Sequence, residues 1–107
     1  MALAVEPEVL SIEPVIERVR AYDPGGDAEL LRRAFTRAEQ AHAGQLRDSG
    51  VPYIAHPLQV AHILADLSSD VPTIAAGLLH DVVEDTIIDL ETIRAEFGDE
   101  VARLVDG

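Results

Sequence analysis

The sequence predicts an all-α protein. Apolar residues recur at helical spacing in several windows, and alternating apolar and polar residues are never sustained enough to specify a strand. The filling residues are Ala, Leu, Ile and Val, with no Trp and few aromatics, which suits close-packed helices better than an aromatic-rich β-sandwich. At 107 residues the chain can bury one modest core and is too short for two independent domains.

Along the chain, residues before about Glu13 lack periodicity, whereas Val15, Ile16, Val19 and Tyr22 follow Pro14 at helical spacing and predict a short first helix. The run from Asp23 to Asp27 is strong punctuation. Asp27 is then placed to cap a long helix with Leu30, Leu31, Ala34, Phe35, Ala38 and Ala41 on one face. Gly44 to Tyr53 reads as an ordered loop, and Pro57 begins a helix through about Leu67, so the loop delivers His56 to a helix start. Asp70, with Pro72 behind it, opens a helix bearing Ile74, Ala75, Leu78, Leu79 and Val82, with His80 and Asp81 in its last turns. Asp89 caps a helix carrying Leu90, Ile93 and Phe97, which Gly98 ends in a left-handed conformation. One more helix begins at Asp99.

This divides the chain into an N-terminal helix and linker, residues 1–26, and a main domain, residues 27–107. Val101, Leu104 and Val105 form an apolar stripe in need of a partner, so the fold is expected to be incomplete at its C-terminal end.

The formal charge of −12 opposes non-specific attraction to nucleic acid or to an anionic membrane surface. An anionic substrate would need a metal or local basic residues to offset that field. There is no cysteine, hence no disulfide and no thiolate site, and any metal must be held by His, Asp or Glu. With no export signal and no run of 18 apolar residues, a soluble cytoplasmic protein is expected.

Chemistry concentrates in two places. His80-Asp81, with Glu84-Asp85 one turn later, puts an imidazole and three carboxylates on one helix end. The surrounding residues are apolar, so burial of these charges is expected, and a divalent cation would remove its cost. Alone, such a pair is more often a hydrogen-bonded core histidine beside solvated carboxylates. The second place is His56, aimed by the Pro57 turn, although a lone His there is more often a cap or packing residue. His42 and His62 read as structural or surface residues.

Several strings in order resemble a known family: Ala41-His42 through Gln45; Arg47, Ser49-Gly50, Pro52-Tyr53-Ile54 and His56-Pro57; Leu79-His80-Asp81, then Val83 to Thr86; Glu96-Phe97-Gly98; and Val105-Asp106-Gly107. From Phe35 onward the chain is similar to the HD-type hydrolase domain of the RelA/SpoT homologues, bifunctional (p)ppGpp synthetase-hydrolases of the stringent response. The resemblance implies an HD-type helical bundle that hydrolyses the 3′-diphosphate of (p)ppGpp to pyrophosphate and GDP or GTP. It implies that His56, His80 and Asp81 bind one divalent metal, typically Mn²⁺, and that Glu84 and Asp85 position and activate the attacking water. It places Arg47 and Ser49 at the nucleotide, with Tyr53 and Ile54 supporting the pocket. It also implies synthetase and regulatory domains further along the parent chain, and a metal shell completed by an Asp beyond Gly107.

Asp48 departs from the pattern, standing where hydrolase-competent members usually carry a basic residue. A carboxylate there would repel substrate phosphate. Two other readings compete: an HD-type phosphohydrolase for a different nucleotide, and a catalytically incomplete helical module for regulation or homo-oligomerisation.

Overall fold

Three helix starts follow aspartates whose side chains cap them. The computed structural model describes residues 10–46, 50 and 52–107, and among these residues the chain forms six helices and no strand, Leu46 and Pro52 making one isolated antiparallel bridge. These are α1 (Glu13–Tyr22), α2 (Ala28–Ala41), α3 (Ala55–Asp66), α4 (Val71–Asp85), α5 (Leu90–Phe97) and α6 (Asp99–Asp106). Asp27, Asp70 and Asp89 each accept a hydrogen bond from the backbone N–H three residues on, at 3.0, 2.9 and 2.9 Å, satisfying donors that a helix start leaves orphaned. The all-α expectation holds.

One boundary and one cap conformation differ from those read in the sequence. Helix α3 starts at Ala55, two residues before Pro57. A first-turn proline needs no hydrogen bond wherever in that turn it stands, so it does not mark the first residue uniquely. Gly98 closes α5 with φ 97° and ψ 168°, an extended conformation of positive φ and not the left-handed helical one. With that one residue as both C-cap of α5 and N-cap of α6, the chain turns without a further linker.

Helix α4 is the centre of the fold. It packs against α2, α3 and α6, and Val71, Ile74, Ala75, Ala76, Leu78, Leu79 and Val82 along it are all buried. Gly77 admits α3 closely: a Cβ there would lie 2.8 Å from Leu64 Cδ1 and 3.3 Å from Val60 Cγ1. Ile12, Val15, Ile16 and Val19 belong to the same buried cluster, so α1 shares the core of the later helices. The Tyr22 hydroxyl ties the end of α1 to the α3–α4 turn by donating to the Ser69 carbonyl at 2.6 Å.

The C-terminal stripe finds most of its partner within the chain. Val101 and Val105 are buried where α6 packs on α4 and α5, and only Leu104 remains exposed.

Two outcomes are expected. No atom crowds a Cβ at position 98, so Gly98→Ala should cost about 1–3 kcal/mol through backbone strain alone, measurable by urea unfolding. The Thr92 hydroxyl and N–H, at 2.7 and 2.9 Å, hold the Asp89 carboxyl below its usual range. A folded-state pKa below the unfolded one contributes stability that is present above the unfolded value and lost as pH falls through the folded one. Asp89→Asn should therefore flatten the stability loss below about pH 4 while keeping a capping side chain, as unfolding at pH 6 and pH 3 would show.

Candidate functional site

Helix periodicity turns one half of the end of α4 inward and the other outward. Leu78, Leu79 and Val82 are buried, whereas His80, Glu84 and Asp85 are exposed and Asp81 lies between. The expectation that this charged group is buried is corrected. Apolar neighbours in sequence occupy the opposite face, and of the four only Asp81, its side chain 21% exposed against 63% for Glu84, is substantially covered. No basic residue occupies the last turn of α4, and a helix C-terminus carries a partial negative charge. The end of α4 is thus a local sink for a cation.

The first turn of α3 completes the group from the other side. His56 Nε2 lies 3.6 Å from Asp81 Oδ2, and His80 Nδ1 lies 3.4 Å from Asp81 Oδ1. His80 Nε2 lies 3.9 Å from Glu84 Oε2. His56, His80 and Asp81 line a cleft of about 280 Å³ whose apolar wall comes from Val60, Ala76 and Leu104.

Two imidazoles and carboxylates without thiolates suit a borderline-to-hard divalent ion. Adjacent ligands on bonds of about 2.1 Å stand about 3.0–3.4 Å apart, close to the two His–Asp81 separations. The two nitrogens face different oxygens of Asp81, and among the described residues no three His, Asp or Glu side chains form a finished metal cage. Residue types and neighbourhood fit such an ion; a closed shell would need further donors.

Residues 34–107 match the family model described as HD domain. The chain belongs to the HD domain family. It is 52% identical over 96 residues to a probable GTP pyrophosphokinase of Mycobacterium leprae and 52% identical over 99 residues to a GTP pyrophosphokinase of Streptomyces coelicolor. It is 46% identical over 93 residues to the GTP pyrophosphokinase rsh of Brucella ovis. These alignments cover 87 to 90% of this chain but only 12% of each relative. The resemblance to RelA/SpoT homologues read from the motifs is met by these relatives.

Within this HD domain, His56, His80 and Asp81 come together as the motifs imply, with Glu84 and Asp85 one turn further along α4. Arg47 and Ser49 lie outside the described residues, as does Asp48. His62 is exposed on α3. Two residues have contacts that sequence reasoning missed. Tyr53, read as pocket support, donates its hydroxyl to Asp81 Oδ2 at 3.2 Å and Asp85 Oδ2 at 3.0 Å. His42 is buried, 2% exposed, and stacks on the Tyr53 ring at 4.5 Å. Both pairings join residues distant in sequence, so no local pattern announces them.

A larger cleft, of about 520 Å³, lies between α2 and α5, away from the histidines. Its arginines are already engaged: Arg37 with the Glu96 carboxylate, Arg33 with the Glu96 carbonyl and the Phe97 ring, and Arg32 with Glu13. The histidine cleft is the chemical one.

Burial, then the hydrogen bond to Asp85 and the charge of Asp81, push the Tyr53 phenol up to about 12. In a Tyr22→Phe background, which leaves Tyr53 as the single tyrosine, alkaline absorbance titration of the folded protein should show the phenolate forming near that value and not near 10.

Proposed function

We propose that this HD domain hydrolyses (p)ppGpp, releasing the 3′-diphosphate as pyrophosphate and returning GDP or GTP, within a longer cytoplasmic enzyme of the stringent response. The observation that carries the reading is the convergence of His56, His80 and Asp81 on one cleft at the exposed end of a buried helix. The segment's similarity to GTP pyrophosphokinases supports guanosine polyphosphates as the substrate class.

In this reading His56, His80 and Asp81 hold one divalent ion, Mn²⁺, whose chemistry when bound is to acidify a water and polarise a phosphoryl oxygen. Glu84, exposed and beside His80, takes the proton from the attacking water as general base. The water oxygen bonds to the phosphorus attached to the 3′ oxygen, that P–O bond breaks, and pyrophosphate departs while the 3′ oxygen takes up a proton from solvent to become a hydroxyl. Asp85, tied to Tyr53, orients the site beside Asp81. Arg47 and Ser49 bind the nucleotide. A planar guanidinium is suited to phosphate or to a purine face, and in a chain of net charge −12 a cation at that loop offsets the repulsion an anionic substrate meets.

Pyrophosphate release from ppGpp with Mn²⁺, measured on the full-length enzyme and on this segment, tests the reading. His80→Ala and Asp81→Asn in the full-length enzyme should each lower the rate by about 10²-fold or more without loss of helical circular dichroism, in line with the loss of a metal ligand. A His80→Ala enzyme with full activity would overturn it.

A further inference from the structure

We infer that His42 and Tyr53 form a positioning pair that sets the geometry of Asp81 and Asp85, and so the cation affinity of the site. The inference rests on the metal-dependent reading above but stands on separate contacts. Asp81 and Asp85 are one turn apart on α4, and two carboxylates so placed repel each other. Between them sits the Tyr53 hydroxyl, at 3.2 Å from one and 3.0 Å from the other. A hydroxyl has one proton, so it is shared between the two oxygens, drawing both carboxylates toward one point.

The Tyr53 ring must itself be fixed for its hydroxyl to do this. It lies over the His42 ring with centroids 4.5 Å apart and planes at 29°, and meets the His56 ring edge-on at 6.2 Å. His42 is locked in turn: it is buried, it lies just past the end of α2, and its Nδ1 pairs with Gln45 Oε1 at 3.1 Å. Its Nε2 is buried without a hydrogen-bond partner among the described residues. A phenyl ring would fill that position without burying an unpaired nitrogen, so stacking alone does not call for an imidazole; the bond to Gln45, which sets the ring plane, does. His42 thereby connects α2 to the carboxylates on α4 through one aromatic contact, touching neither them nor any ion.

The test uses the full-length enzyme and three readouts: Mn²⁺ affinity by calorimetry, kcat and KM for ppGpp, and thermal unfolding. Tyr53→Phe keeps the ring and removes the hydroxyl; His42→Ala removes the stack; His42→Gln serves as a variant without the ring that retains polarity. Tyr53→Phe should weaken Mn²⁺ binding or kcat by about 10- to 100-fold, the range for residues that orient metal ligands, with KM changed less. The double variant His42→Ala/Tyr53→Phe should lose no more metal affinity than the more affected single variant, since both act on one device. His42→Gln should not restore the loss. Unchanged Mn²⁺ affinity and kcat in Tyr53→Phe, or additive losses in the double variant, would overturn the pair. A wild-type enzyme that releases no pyrophosphate would defeat the functional reading, and the Mn²⁺ affinities would then decide the positioning pair on their own.

Discussion

Burial of α4 is the constraint on which the rest of the structure depends. Its apolar residues face α2, α3 and α6 at once, and the small side chains and Gly77 in its middle let those neighbours approach closely. A helix held from several sides cannot rotate or slide, so the residues at its exposed end are fixed in direction even though they reach solvent. Removing a side chain such as Leu79 from this seam would leave a cavity at the point where the neighbours meet, at a typical cost of about 2–5 kcal/mol. The site inherits its rigidity from the core.

Among the described residues, the end of α4 gathers negative charge with no arginine paired to it. Glu84 and Asp85 sit at the negative pole of the helix with no basic residue in the last turn, and Thr86 closes that turn by donating its hydroxyl to the Val82 carbonyl at 2.6 Å. Elsewhere arginines are tied to nearby acids, as in Arg37 with Glu96 and Arg94 with Glu91. The contrast is chemical: paired ions staple helices at the surface, whereas carboxylates left beside two imidazoles offer donors to a cation.

Much of the fold was legible because helix signals are local. Asp27, Asp70 and Asp89 announced three helix starts, since a cap requires one side chain and the backbone three residues on. The metal-ligand candidates were legible as ordered strings, and those strings lie within the span that matches the HD domain family. The burial of the acidic group was misread because apolar neighbours in sequence lie on the opposite side of a helix. The role of Tyr53 stayed hidden because its partners stand about thirty residues away on another helix.

By itself, then, the sequence determined the helical class, the capped starts and the residue types able to hold a cation, because each depends on chemistry within a few residues of the chain. Only the tertiary structure decided that His56 from the α3 turn meets Asp81 on α4, that Leu104 alone of its stripe stays exposed, and that buried His42 stands under Tyr53. Those outcomes depend on which helices pack together and at what depth. Side-chain distances across such seams arise only once the shared core has formed.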